Sequence, residues 1–267
     1  MSIEIRSPLN EKSAITLPPA VSDLQKAFSG TICSDQGDEY TIRNNIVELP
    51  GEVKDYTLAQ STNHWSLTAK LYEDLWRKRS LSILTGEPFP VEKERELLIE
   101  WTGPVPGGKY LDVGCSTALY ARALKKACPE SDVVALDFSS AMLEEARLKA
   151  EAELADIYLI LADAREMPFF SKTFDGVVMG GTLNELTDPL KVLFECRRVI
   201  KPGGNMFMMH LVKSPGWLGR MMQESAGLGG IKFWSVNESN ELFKRAGFSV
   251  QDQFTKGIVC FTKLLPV

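Results

Sequence analysis

Three aspartates stand at equivalent places in a repeated pattern. Asp112 in KYLDVG, Asp137 in DVVALDF and Asp163 in IYLILADA each close an apolar run. Asp137 follows Asp112 by 25 positions, the spacing at which the acid ending a second strand can accept hydrogen bonds from both ribose hydroxyls of a nucleoside. Asp163 is placed to accept from an exocyclic amine on the base. Taken singly, each is a surface acid capping the next helix. Three at successive strand ends argue for one ligand-binding edge. After Asp112 comes Gly114, in LDVGCSTALYAR, where a sharp turn leads from strand to helix. The unpaired N–H groups opening that helix attract a polar ligand end. Ser116 and Ala118 occupy the places where a nucleotide-gripping loop carries two further glycines, and Cys115 lies between Gly114 and Ser116.

A second group could act on a second ligand. In Gly180-Gly181-Thr182-Leu183-Asn184-Glu185, Asn184 can orient an acceptor and Glu185 can take a proton; alternatively Asn184 caps local backbone. His210, one of two histidines, follows an apolar strand and suits a general base at neutral pH, or a hydrogen-bonded structural role. His64, in polar STNHW, is a surface residue. The five cysteines, Cys33, Cys115, Cys128, Cys196 and Cys260, are scattered with no CxxC pair. That argues against a zinc site or a disulfide framework and for a reducing compartment.

The elements that must hold these residues alternate. From Lys109, KYLDVG, DVVALDF, IYLILADA, FDGVVMGG and NMFMMHLV read as strands. ALYARALKKAC, SSAMLEEARLKAEAEL and DPLKVLFECRRVI read as helices between them, with Ser139 or Ser140 and Asp188 as caps and Pro189 opening the last. Such alternation implies an α/β fold with a parallel sheet. ESNELFKRAGF is a further helix, and FSVQDQFTKGIVCFTKLL is a closing hairpin turning at Lys256-Gly257. Residues 212–235, rich in Met, Trp and Gly (Trp217, Met221, Met222, Trp234), form a candidate lid that suits an apolar acceptor or a partner surface. Residues 1–60 read as a small β-rich appendage with a hairpin at Asn44-Asn45, and 61–108 as a helical cap and linker containing helices over 66–83 and 92–101.

The chain has 267 residues and a net charge of −5, with a pI near 5.3. With no Lys/Arg block it is a poor nucleic-acid binder. No apolar run approaches the length of a membrane span, and the first residues lack the apolar stretch of a signal peptide, so a cytoplasmic protein is expected.

Five segments, LDVGCSTA, ALDFSSAMLEEAR, LADAREMPF, FDGVVM and RRVIKPGG, resemble in order the motifs of class I S-adenosylmethionine-dependent methyltransferases, over roughly residues 109–263. The resemblance implies a Rossmann-like, seven-stranded, mostly parallel sheet with a terminal antiparallel hairpin. It implies that Gly114, Cys115 and Ser116 face the methionine part of S-adenosylmethionine, with Asp112 near the sulfonium. Asp137 and Phe138 would hold the ribose, Asp163 and Ala164 the adenine; Gly180 would border the cofactor and Tyr72 close over it. GTLNELTDPLKVLFECRRVIKPGG resembles the quinone-biosynthesis C-methyltransferases. The wider layout, with YEDLW and EKERE before the core, resembles the cyanobacterial and chloroplast methyltransferase-like proteins. Those carry a zinc-ribbon-related N-terminal piece; TICSDQGDEYTIRNNIVELP has its rhythm but only Cys33, so a metal-free appendage is expected.

The activity so implied is methyl transfer to a small apolar or aromatic acceptor such as a quinol, by a monomer or homodimer. It needs no nucleic acid and at most peripheral membrane contact. The rival of another class is a non-catalytic scaffold that binds S-adenosylmethionine or no cofactor. An NAD-dependent oxidoreductase is disfavoured by the lone Gly114 and the closing hairpin.

Overall fold

The computed structural model describes residues 3–9, 12–49, 82, 84–86, 88–228 and 230–267. The expected helix over 66–83, with Tyr72, and His64 lie outside the described residues.

The alternation expected from Lys109 onward is present. Strand β6 (Lys109–Val113) leads to helix α2 (Leu119–Ala127), β7 (Asp132–Asp137) to α3 (Ser140–Ala152), and then come β8 (Tyr158–Leu161) and β9 (Phe174–Gly180). Helix α4 (Pro189–Val199) precedes β10 (Ile200–Leu211), and α5 (Trp217–Gly227) and α6 (Val236–Arg245) precede the hairpin β11 (Phe248–Lys256) and β12 (Val259–Pro266). Ser139 caps α3 by accepting from Met142 N–H, and Asp188 caps α4 by accepting from Lys191 N–H. Helix α6 begins before the expected ESNELFKRAGF, because Ser235 and Glu238 form a reciprocal capping box. Pro202-Gly203-Gly204 lies after α4, within β10. The helix ends at Val199 and β10 has already begun, with a register shift between Ile200 and Asn205 that absorbs the three residues.

Before this core lie β1 (Ile3–Arg6), β2 (Ala14–Leu17), β3 (Gly30–Cys33), β4 (Glu39–Arg43), β5 (Ile46–Glu48) and α1 (Val91–Thr102). Asn44 and Asn45 both take positive φ (48° and 66°), as the tight turn joining β4 to β5 requires. Strands β3–β5 are not a separate sheet. β5 pairs in parallel with β8, Ile46 opposite Leu159, so one ten-stranded sheet runs β11-β12-β10-β9-β6-β7-β8-β5-β4-β3. β1 and β2 form a two-stranded hairpin of their own.

Alternation along each strand divides the core. Leu111, Val134, Ile160, Val177, Met206 and Met208 face α4 and α6, and the apolar residues of β1 and β2 join them there. Tyr110, Val133, Ala135, Leu159, Val178 and Phe207 face α1, α2 and α3. Because the central strands are covered on both faces, their sequences are continuous apolar runs, and the polar residues collect at their carboxyl ends.

Candidate functional site

The chain runs from β6 outward to β7 and β8 on one side, then returns to β9 and β10 on the other. The order therefore reverses between β6 and β9, and a crevice opens there above the carboxyl ends of the strands. A small cleft occupies that place, lined by Asp112, Gly114, Cys115, Ser116, Thr117, Leu119, Tyr120 and Gly180.

The loop from β6 to α2 keeps the backbone of a three-glycine turn with one glycine. Gly114, Ser116 and Ala118 all have positive φ, at 64°, 51° and 58°. Ser116 and Ala118 are held in the left-handed region, which costs a residue with a Cβ roughly 1–2 kcal/mol. Gly114 has a second reason to lack a side chain. A Cβ there would stand 2.4 Å from Thr182 Cγ2, and Thr182 Oγ1 donates to Gly114 O at 3.1 Å. Gly180, opposite, is pressed against Tyr120, whose ring a Cβ would meet at 2.5 Å. Tyr120 in turn donates to buried Glu94 of α1.

The acids have distinct settings. Asp112 is 2% exposed, and its carboxylate accepts from Ala121 N–H in the first turn of α2 while forming part of the cleft wall. Asp137 is held by the main chain on two sides: Oδ2 accepts from Ser116 N–H at 2.8 Å and Oδ1 from Ser139 N–H at 2.9 Å. These two bonds fix the orientation of the carboxylate. Burial, with Asp137 and Asp112 close by, pushes the Cys115 thiol well above the usual range, so it lines the cleft as a neutral group. Asp163 caps the 3-10 turn Ala164–Glu166 and accepts from Arg165 through its backbone N–H and its guanidinium. Asp163 sits beside Asp137 across the sheet, since Ala162 N–H donates to Asp137 O at 3.0 Å.

Thus Asp112, Gly114, Cys115, Ser116 and Gly180 meet in the cleft, and Asp137, Phe138, Asp163 and Ala164 continue along the same edge. Two expected acceptor-side residues do other work. His210 is fully buried, its ring edge-on to Phe243 of α6 at 5.7 Å, and neither ring nitrogen has a partner. Burial lowers its pKa to about 4. It points into the core between sheet and helix and not into the cleft, which corrects its assignment as a general base. Asn184 is 1% exposed. Its amide donates to Leu211 O and Lys232 O and accepts from Leu211 N–H, so it clamps backbone and does not orient an acceptor. Glu185 is half-buried directly after the turn Thr182–Asn184 and is not part of the cleft wall. Sequence reasoning missed Thr117, Tyr120 and Thr182. Tyr120 read as an apolar helix residue, and only its closeness to Gly180 reveals its place.

A family described as a methyltransferase domain matches residues 111–208. This segment is a methyltransferase domain. The cofactor that goes with such a domain is S-adenosylmethionine, and the cleft fits its methionine half. The buried carboxylate of Asp112 stands in the wall, and Gly114 and Gly180 line the cleft without side chains. Demethylmenaquinone methyltransferase of Bacillus cereus (strain ATCC 10987 / NRS 248) is 43% identical over 106 residues, which are 39% of this chain and 45% of that protein. The chain therefore spans less than half the length of this relative. Among solved structures, a SAM-dependent methyltransferase from Aquifex aeolicus is 21% identical, with a TM-score of 0.58 over 76% of this chain and 99% of that one. The 4+2 cyclase SpnF is 16% identical, with a TM-score of 0.62 over 81% of this chain and 99% of that one. The fold around the methyltransferase domain is the class I methyltransferase fold, and SpnF shows that this fold also hosts other named activities. Among the described residues no helix is long and apolar enough to cross a membrane, and no cluster of His, Cys, Asp or Glu could hold a metal.

Proposed function

We propose that the chain transfers a methyl group from S-adenosylmethionine to a small apolar or aromatic acceptor, with a quinol as the first candidate. The observation that carries the reading is the cleft at the strand-order reversal, walled by Asp112, the 114–118 turn and Gly180, with Asp137 and Asp163 following along one edge. When bound, the cofactor supplies an electrophilic sulfonium methyl. Asp112 balances the charge of the amino acid end. Asp137, pre-set by its two main-chain bonds, receives the ribose hydroxyls. Asp163 and Ala164 flank the adenine. Gly114 and Gly180 let the backbone approach closely, and Tyr120 fills the floor and excludes water. Catalysis then rests on alignment and desolvation. Glu185 is the residue proposed to take the acceptor's proton. The quinol follows from the name of the Bacillus cereus relative and from exposed Trp217, Leu218 and Met221 on α5, which suit an apolar molecule.

A non-catalytic scaffold is the second reading, favoured by the two non-glycine residues in left-handed conformation and by the pairing of Asp163 with Arg165. Calorimetric titration with S-adenosylhomocysteine separates the two. Micromolar binding that Asp137→Ala abolishes, followed by methyl transfer to a demethylated naphthoquinol, is the expected result. No binding at all gives the scaffold reading the lead.

A further inference from the structure

The loop that follows β8 carries Asp163 and Ala164, yet it contains only one turn of 3-10 helix, Ala164–Glu166. Something else must fix its height relative to Asp137. On one side α4 supplies the support: Glu195 Oε2 accepts from Met167 N–H at 2.8 Å, and Arg198 donates to Met167 O at 3.1 Å and to Phe169 O. On the other side the support comes from the N-terminal strands. Arg6 of β1 donates through its backbone N–H to Pro168 O at 2.9 Å and through Nη2 to Met167 O at 3.2 Å. Next to β5, Leu49 N–H donates to Leu161 O at 3.2 Å, at the start of the same loop. Met167 and Phe169 are fully buried, so their carbonyls have no ready substitute in water.

We propose that Arg6 is a positioning residue for the cofactor pocket: by gripping two successive carbonyls, those of Met167 and Pro168, it sets the loop bearing Asp163 and Ala164 against Asp137. The inference rests on the reading of the cleft as an S-adenosylmethionine site. One residue that holds two adjacent carbonyls, once by main chain and once by guanidinium, fixes both the position and the tilt of the segment. Arg198 donates to the same Met167 oxygen, so α4 and β1 both hold this loop. The N-terminal strands thereby act on the adenine end of the pocket without touching the ligand.

The test compares wild type, Arg6→Ala and Arg6→Lys by calorimetry with S-adenosylhomocysteine and with S-inosylhomocysteine, which lacks the exocyclic amine. Hydrogen exchange of the amides at 163–169 and thermal midpoints complete the set. Arg6→Ala is expected to weaken S-adenosylhomocysteine binding about tenfold, the scale of one lost charged hydrogen bond. It should also compress the preference for adenine over hypoxanthine and speed exchange at 163–169, while exchange in β6 stays as in wild type. Arg6→Lys, which keeps a cationic donor, should recover part of each. A purely structural role would lower the thermal midpoint and leave the binding ratio alone. Equal affinities and an equal ratio in a folded Arg6→Ala protein overturn the proposal and leave the cofactor reading standing. If wild type itself fails to bind S-adenosylhomocysteine, the cofactor reading falls and takes the proposal with it. Should Arg6→Ala not fold, Arg6→Gln, which retains one donor, is judged by the same two criteria.

Discussion

Ser116 is the residue at which the sequence looked degenerate and the backbone is not. It holds φ of 51° in a loop whose conformation suits glycine, and its N–H still donates to Asp137. Ser116→Gly removes the Cβ conflict but adds chain entropy to the unfolded state, and the two largely offset. A net gain of about 0.5–1 kcal/mol in urea unfolding is expected, with S-adenosylhomocysteine affinity retained. Ser116→Val, branched at Cβ, should lose stability in the same assay. His210 offers a second single-residue prediction. Its folded pKa of about 4 lies below its ordinary value near 6.5. Above 6.5 both states are neutral and it contributes nothing to pH dependence. As pH falls from 6.5 to 4 the unfolded chain takes up a proton that the native state refuses, so stability drops by up to about 3 kcal/mol, then levels off. Urea midpoints at pH 7, 5.5 and 4.5 should fall more steeply in wild type than in His210→Leu. Parallel curves would show that His210 is not the source.

Among the elements, the short turn Thr182–Asn184 does more than its length suggests. Asn184 binds Leu211 twice and Lys232 through both its side chain and its carbonyl, joining the two ends of the excursion that carries α5. Asn184→Ala removes the side-chain partner of Leu211 N–H, Leu211 O and Lys232 O, all in part-buried bonds. A loss of about 2–4 kcal/mol is expected, read from denaturant unfolding, with faster hydrogen exchange across 212–231. Nothing in GTLNEL announces this clamp, because its partners lie 27 and 48 positions away. The strands and helices of the core were legible because their signals are local: apolar runs for β6–β10, Ser139 and Asp188 as caps, Asn44-Asn45 as a turn. The proposed cofactor edge could be drawn for the same reason, since Asp112, Asp137 and Asp163 each stand at or just beyond the end of a strand. His210 was misassigned because strand alternation alone does not say which face a helix will seal, and Tyr120 was missed because its role depends on Gly180 across the sheet.

In the whole molecule, β3–β5 belong to the core sheet. β8 would be an edge strand beside the proposed adenine loop, and β5 covers it, leaving β3 as the edge. The sequence showed the hairpin but not its docking, since parallel pairing of β5 with β8 spans more than a hundred residues. Val47 is fully buried in β5, opposite Ile42 on one side and Ile160 on the other. Val47→Pro should cost about 3 kcal/mol or more and uncover β8. Size-exclusion chromatography with light scattering should then show association or aggregation at concentrations where wild type keeps its size, and an unchanged profile would mean that β5 is dispensable as a cover.

The clamp at Asn184 has a consequence for how such a chain can diversify. Entry and exit of the 212–231 excursion are fastened to one amide, so the span between them is a cassette with fixed connectors and free length. Loop closure depends only weakly on length once the ends are joined. Replacing residues 215–230 with a short Gly/Ser linker should therefore leave the methyltransferase domain folded and its S-adenosylhomocysteine affinity near wild type, while handling of the acceptor changes. Grafting in the corresponding span of a relative should move acceptor preference with it, so that new substrates become reachable by exchange of one segment while the cofactor edge is inherited intact.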